Sequence, residues 1–161
     1  MRFRDGGRNP RSRGLSTRAA RPYTNGVAIR AETAPTRGPG PVLVVEDHGD
    51  ARDGVISILR AVGYEAIGAA NGPDALTLLR TIKAKPALIL LDLMMPEMAG
   101  WQVRERVREC PGLADVPVIL MSGYEHTLET IQNGPAPAAA ALRKPLDPDE
   151  LLRAVARHIA R

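Results

Sequence analysis

The sequence predicts an α/β fold, a (βα)5 chain whose five-stranded parallel sheet is doubly wound with helices on both faces. Five short apolar segments alternate along the chain with segments of helical periodicity. The apolar segments have no polar face, so each strand requires cover on both sides of the sheet. Right-handed crossover connections supply that cover from the intervening helices.

The predicted strands are short, rich in Val, Ile and Leu, and bounded by turn residues or acids. The segment Ala87–Leu91 shows the pattern most clearly, whereas the fifth strand is assigned mainly from its place in the alternation. The five strands are predicted at Val42–Val45, Tyr64–Ala69, Ala87–Leu91, Pro117–Met121 and Ala138–Leu142.

The predicted helices carry apolar residues three and four positions apart, as a helix packed on a sheet does. Gly63 ends the first helix, and the turn Asn71–Asp74 leads into the second. The helices are predicted at Asp50–Val62, from Ala75 to Ile82, at Trp101–Cys110, at Tyr124–Gln132 and at Asp147–Ala160.

Length and composition predict one cytoplasmic domain with a tail. The chain has 161 residues and a mass of 17.3 kDa, which is too little for two full domains. Cys110 is the only cysteine, which excludes an internal disulfide framework and indicates a reducing compartment. No apolar run approaches the ~18 residues of a membrane span, and the N-terminal arginines precede no apolar signal segment.

Charge divides the chain into residues 1–40 and residues 41–161. The first part carries nine arginines and two acidic residues, a net charge of +7, and the second carries a net charge of −3. The first part has no strand or helix period, so we expect a disordered basic extension followed by a domain at 41–161. The extension is either a basic arm for nucleic acid or a nonspecific addition, such as the product of an upstream start codon.

Polar side chains follow four of the five predicted strands. They are Glu46 and Asp47 after the first strand, Asp92 after the third, Ser122 after the fourth and Lys144 after the fifth. The carboxyl ends of parallel strands share one edge of a sheet, so we expect these groups to converge. Crowded carboxylates need a cation, and hard oxygen ligands with no His or Cys favour Mg²⁺, with Mn²⁺ as the alternative.

The same set of side chains suits a phosphoryl group held on one carboxylate. The metal and the Lys144 ammonium would neutralise its charge, and the Ser122 hydroxyl would contact one oxygen. A carboxylate can itself act as the nucleophile and form an aspartyl phosphate. Asp92, central among the strands, is the predicted phosphoacceptor, which leaves Glu46 and Asp47 to hold the metal.

The segment Asp92–Gly100, with sequence DLMMPEMAG, is similar to the phosphoacceptor loop of receiver domains of two-component response regulators. Val44–Asp47 resembles the acidic metal pair of that family. Ser122 lies 30 residues after Asp92, and Lys144 a further 22 residues on, as in the family's hydroxyl and lysine positions. The resemblance covers roughly residues 41–161 and implies a flavodoxin-like sheet with strand order 2-1-3-4-5.

The resemblance also implies a mechanism. A sensor histidine kinase or a histidine phosphotransfer protein supplies the phosphoryl group, and Ser122 and Lys144 grip it on Asp92. The receiver catalyses its own phosphorylation and dephosphorylation, so it is not classed as an enzyme. The bond between Lys144 and Pro145 is often cis in the family. The implied Mg²⁺ ligands are the side chains of Glu46, Asp47 and Asp92 and the backbone carbonyl of Met94.

The sequence departs from the family at Ala141, three residues before the lysine, where relatives usually place an aromatic switch residue. Alanine has no rotamer to switch, so the usual route from the site to the distal surface is in doubt. Met94 and Tyr124 occupy positions that the resemblance associates with the lifetime of the phosphoryl group, although packing over the loop is an equal account of Tyr124. His48 is interpreted as a solvated loop residue, with contact to the metal or the phosphodonor as the alternative.

Three functions compete at this stage. The first is a stand-alone response regulator that signals through contacts with an unknown protein target. We expect the stand-alone form because the chain stops after the fifth predicted helix. The second is receiver-gated nucleic-acid binding through residues 1–40. The third is a metal-dependent phosphohydrolase, which the sequence disfavours because the usual second aspartate is replaced by Met94 and no insertion forms a cap.

Overall fold

The computed structural model describes residues 40–124 and 138–159. Residues 1–39, which hold nearly all of the basic extension, and most of the helix predicted at Tyr124–Gln132 lie outside the described residues. Within them the strands are β1 Val42–Val45, β2 Ala66–Ala69, β3 Leu88–Asp92, β4 Val118–Ser122 and β5 Ala140–Arg143. The helices there are α1 Gly49–Ala61, α2 Gly72–Thr81, α3 Gly100–Glu109 and α4 Pro148–Ile159.

The five strands form one parallel sheet in the order β2-β1-β3-β4-β5. This confirms the doubly wound fold and the strand order that the resemblance implied. Val42 of β1 pairs with Ala66 on one side and with Leu88 on the other. The carboxyl ends of the strands therefore lie along a common edge of the sheet, where ligands bind in open α/β folds.

Alternate strand residues fill two separate aliphatic cores. Leu43 and Val45 pack on the side of the sheet covered by α2 and α3. Val42 and Val44 pack on the opposite side, against α1 and α4. Each fully buried Leu, Ile or Val side chain stabilises the fold by roughly 1.5–3 kcal/mol, so the two cores hold the strands rigidly. That rigidity fixes the residues at the carboxyl edge.

Local sequence explains where two helices begin and end. The Asn71 side chain accepts a hydrogen bond of 2.7 Å from the Asp74 backbone N–H, which caps the start of α2. Gly63 has φ of 95° and lies just after the end of α1. Its N–H donates to the Arg60 carbonyl, a left-handed turn that glycine adopts without strain.

Three strands end one residue beyond their predicted ends, so Asp92, Ser122 and Arg143 are the last residues of β3, β4 and β5. The Leu93 N–H donates to the Met121 carbonyl at 3.0 Å, which continues the ladder beyond the apolar run. β2 begins at Ala66 rather than at Tyr64, because the Tyr64 N–H is used in the turn that follows α1.

Candidate functional site

The first wall of the site is the turn from β1 into α1. Glu46 is buried, with 3% of its side chain exposed, whereas Asp47 is partly exposed. The Arg52 guanidinium, one turn into α1, donates a 2.9 Å hydrogen bond to the Glu46 carbonyl oxygen. This contact holds the turn, and it depends on a side-chain conformation that no sequence pattern reveals.

Asp92 lies at the centre of the edge, on the strand between β1 and β4. Only 4% of its side chain is exposed. Its Oδ1 accepts a hydrogen bond of 3.1 Å from the Met94 backbone N–H, which orients the carboxylate. The loop returns closely to the strand, because the Gly100 N–H donates to the Leu93 carbonyl at 3.1 Å.

Lys144 joins the two buried carboxylates. Its Nζ lies 2.5 Å from Glu46 Oε2 and 3.0 Å from Asp92 Oδ2. Partial burial lowers the pKa of the ammonium, but the hydrogen bonds and charges of Glu46 and Asp92 outweigh burial and raise the pKa above its usual value. Lys144 is therefore protonated at neutral pH and supplies the positive charge that the buried acids require. The peptide bond between Lys144 and Pro145 is cis, as the resemblance implied.

Ser122 is fully buried at the end of β4, next to β3. Its Oγ accepts a 3.1 Å hydrogen bond from the Tyr124 N–H, and its carbonyl oxygen accepts from the Lys144 N–H at 2.8 Å. The side chains of Met94 and Tyr124 are mostly exposed. Packing over the loop therefore accounts poorly for Tyr124, and the effect of both residues on phosphoryl lifetime stays a prediction.

His48 is a solvated loop residue, as predicted, with 79% of its side chain exposed, and it also contacts the acidic pair. Its Nδ1 is 3.1 Å from Asp47 Oδ1 and 3.4 Å from Glu46 Oε1. The hydrogen bond to Asp47, then the charges of Asp47 and Glu46, raise the pKa of the imidazole. In the sequence, the only sign of these contacts is the position of His48 directly after the acidic pair.

The donor set at the end of β1 fits a divalent cation. One ligand atom from each of Glu46, Asp47 and His48 lies within 4.8 Å of the others. Asp92, the third predicted acid, is linked to Glu46 by the Lys144 ammonium, which contacts both carboxylates. The structure thus brings together Glu46, Asp92 and Lys144 by direct contact, and places Asp47 beside them.

A family profile for the response regulator receiver domain matches residues 42–156, which includes every residue of this edge. The chain belongs to the receiver domain family. Protein Rrf1 of Nitratidesulfovibrio vulgaris is 31% identical over 122 residues, which cover 76% of this chain and 84% of that protein. The ycf27 protein of Porphyra purpurea is 34% identical over 68% of this chain, but the matched region is only 43% of the length of ycf27.

Solved receiver structures share the fold. Chemotaxis protein CheY4 of Vibrio cholerae superposes with a TM-score of 0.65 at 26% identity, over 74% of this chain and 98% of CheY4. Receiver domains are phosphoacceptor signalling domains of two-component systems, and they generally bind Mg²⁺ at an acidic pocket. They interact with histidine kinases or phosphotransfer proteins. In the part of this receiver domain that the structure describes, no helix is long and apolar enough to cross a membrane.

Alanine stands in this receiver domain at the position where relatives usually have an aromatic residue, and the structure shows its surroundings. Ala141 lies in β5, paired with Leu120 of β4. It is partly buried against the core on the α2 and α3 side of the sheet. A methyl group at this position has no second rotamer. A rotamer change at Ala141 is therefore excluded.

Proposed function

We propose that this receiver domain accepts a phosphoryl group on Asp92 from a sensor histidine kinase or a histidine phosphotransfer protein, in a Mg²⁺-dependent reaction. The domain then signals through contacts with a protein target. The observation that carries the proposal is the buried Asp92 carboxylate at the sheet edge, with the Lys144 ammonium 3.0 Å from its Oδ2. A buried carboxylate paired with a side-chain ammonium is suited to nucleophilic attack on phosphorus.

The transfer forms one bond and breaks one bond. A carboxylate oxygen of Asp92 attacks the phosphorus of a phosphohistidine on the partner, and the phosphorus–nitrogen bond breaks in line with the attack. The electron pair of that bond returns to the imidazole, which leaves. The Met94 N–H holds Asp92 Oδ1, so the carboxylate presents a fixed face to the donor. Hydrolysis of the acyl phosphate by water later regenerates Asp92.

The remaining residues neutralise and orient the transferred group. Lys144 moves from its contact with Glu46 to a phosphoryl oxygen, and the Ser122 hydroxyl donates to another. Glu46, Asp47 and Asp92 would hold Mg²⁺, or Mn²⁺, together with the Met94 carbonyl. When bound, the ion neutralises the phosphoryl oxygens and orients them for attack.

Intact-mass measurement tests the proposal. With Mg²⁺ and acetyl phosphate, the wild-type chain gains the mass of one phosphoryl group, and Asp92→Asn gains none. Asp115→Asn, which changes an exposed acid outside the site, gains the group as the wild type does. A chelator abolishes the gain. An unmodified wild-type chain, or equal modification of Asp92→Asn, overturns the proposal.

A second candidate function rests on the charge of residues 1–40, which is +7. Such a segment attracts nucleic acid through its phosphates, without sequence selectivity and with strong salt dependence. In this alternative, phosphorylation of the domain gates binding by the extension. Salt-dependent DNA binding that disappears when the extension is removed would support it.

A further inference from the structure

The imidazole of His48 has no role in the proposed phosphoryl transfer. It nevertheless lies against the acidic pair, with Nδ1 3.1 Å from Asp47 Oδ1 and 3.4 Å from Glu46 Oε1. The same nitrogen belongs to the group of three ligand atoms that lie within 4.8 Å of one another. One nitrogen and two carboxylate oxygens are therefore close enough together to share one cation.

Neither packing nor helix capping explains this placement. His48 is the N-cap residue of α1, but its side chain makes no capping hydrogen bond. The side chain is 79% exposed, so no core contact fixes it. The backbone N–H of His48 donates to Glu46 Oε1 at 3.2 Å, which turns that carboxylate toward the ring. The acids are thus the groups that the structure shows holding the imidazole.

We propose that His48 Nδ1 is a ligand of the cation held by Glu46 and Asp47, and that it shifts the site from Mg²⁺ toward first-row transition ions such as Co²⁺, Ni²⁺ and Zn²⁺. Imidazole nitrogen binds these ions well, whereas Mg²⁺ is held by oxygen ligands. The inference rests on the proposed function only in that both assign a cation to the same acidic pair.

Calorimetric titration of the full chain with Mg²⁺, Co²⁺ and Ni²⁺ tests the assignment. We expect His48→Ala to weaken Co²⁺ and Ni²⁺ binding by about tenfold or more. Mg²⁺ binding should change by less than about twofold, because the oxygen ligands remain. His158→Ala, in α4, controls for loss of any histidine and leaves all three affinities unchanged. An unchanged Ni²⁺ affinity in His48→Ala, or an equal loss for Mg²⁺, overturns the inference.

Nitrogen NMR of the histidine rings gives a second readout that is independent of affinity and of phosphorylation. Diamagnetic Zn²⁺ should shift the Nδ1 resonance of His48 far more than its Nε2 resonance, and Asp47→Asn should remove the shift. A shift confined to Nε2, or no shift, contradicts Nδ1 ligation. The two proposals can fail separately. If Mg²⁺ binds but the wild-type chain gains no phosphoryl group, the proposed function is overturned, and the titrations still measure which metal ions the site prefers.

Discussion

At the scale of single residues, the balance of charge around Lys144 decides whether the edge of the sheet is stable. Glu46 and Asp92 are almost completely buried, and their mutual repulsion in a low-dielectric site would be severe if no cation lay between them. Lys144 contacts both carboxylates. The residues proposed for phosphoryl transfer therefore also affect the stability of the fold, which depends on the Lys144 ammonium being present.

Substitution Lys144→Met keeps the aliphatic stem and removes the ammonium. We expect the free energy of unfolding to fall by roughly 2–4 kcal/mol without metal, because two buried charges lose their partner. Urea unfolding measures this loss, and Mg²⁺ should recover part of it. The matched control Lys85→Met breaks an exposed pair with Asp115 and should change stability little. Equal stability of the two variants would contradict this charge balance.

The principal site residues could be predicted from the sequence because each follows an apolar strand. Their placement at one edge then depends only on parallel topology. The contacts of His48 and Arg52 could not be predicted, because they depend on side-chain conformation within a turn. The bridging position of Lys144 between two acids likewise requires three-dimensional distances.

At the scale of elements, the connection from β3 to α3 positions Asp92 and Met94. Gly100 begins α3 directly against the end of β3, where an added Cβ would lie 2.2 Å from the Asp92 carbonyl oxygen. Backbone atoms cannot move aside as a flexible side chain can. Glu97 in the same loop has φ of 66°, an unfavourable value for a residue with a side chain. The loop beside Asp92 is thus held in a backbone conformation that most residues adopt only with strain.

Gly100→Ala should destabilise the fold by about 1–3 kcal/mol or more, because the loop and strand must separate. It should also slow phosphoryl uptake, because Asp92 moves with the strand end. Gly54→Ala is the control, since an added Cβ at this α1 position meets nothing within 4 Å. It should stabilise the domain by about 0.5–1 kcal/mol. Thermal unfolding that ranks the variants in the opposite order would refute this account of the loop.

The existence and type of most described elements follow from apolar periodicity, and β5 follows mainly from its place in the alternation. The ends of the elements cannot be predicted in this way. The sequence predicts that β3 ends at Leu91, because Asp92 breaks the apolar run. In the structure, backbone pairing continues through Asp92, which is opposite Met121. Backbone hydrogen bonds between strands form whatever the polarity of the side chains. The end of a strand therefore depends on the adjacent strand, whose residues are distant in the sequence.

At the scale of the whole molecule, the residues proposed for phosphoryl transfer all lie within the receiver domain. Every contact described for the site lies between Glu46 and Lys144, whereas most of the excess positive charge lies in residues 1–39. We therefore expect the domain to work without the extension. The assignment of residues 1–40 as disordered, and of a cytoplasmic, stand-alone protein, stays a prediction.

Removal of residues 1–39 should leave Mg²⁺-dependent phosphoryl uptake unchanged, because the deletion retains Gly40 and all site residues. Intact-mass time courses of the full and shortened chains measure this. The same pair of chains tests the nucleic-acid alternative through DNA binding at several salt concentrations. Loss of uptake on deletion would contradict a self-contained domain, and no DNA binding by the full chain at low salt would exclude the alternative.

The most direct test of Asp92 as the phosphoacceptor identifies which side chain carries the phosphoryl group. Borohydride reduces an aspartyl phosphate to homoserine, which tandem mass spectrometry locates in the sequence. After incubation with Mg²⁺ and acetyl phosphate, we expect homoserine at position 92 and unmodified side chains at Asp47 and His48. Reduction at Asp47, or stable phosphate on His48 with Asp92 intact, would contradict the account.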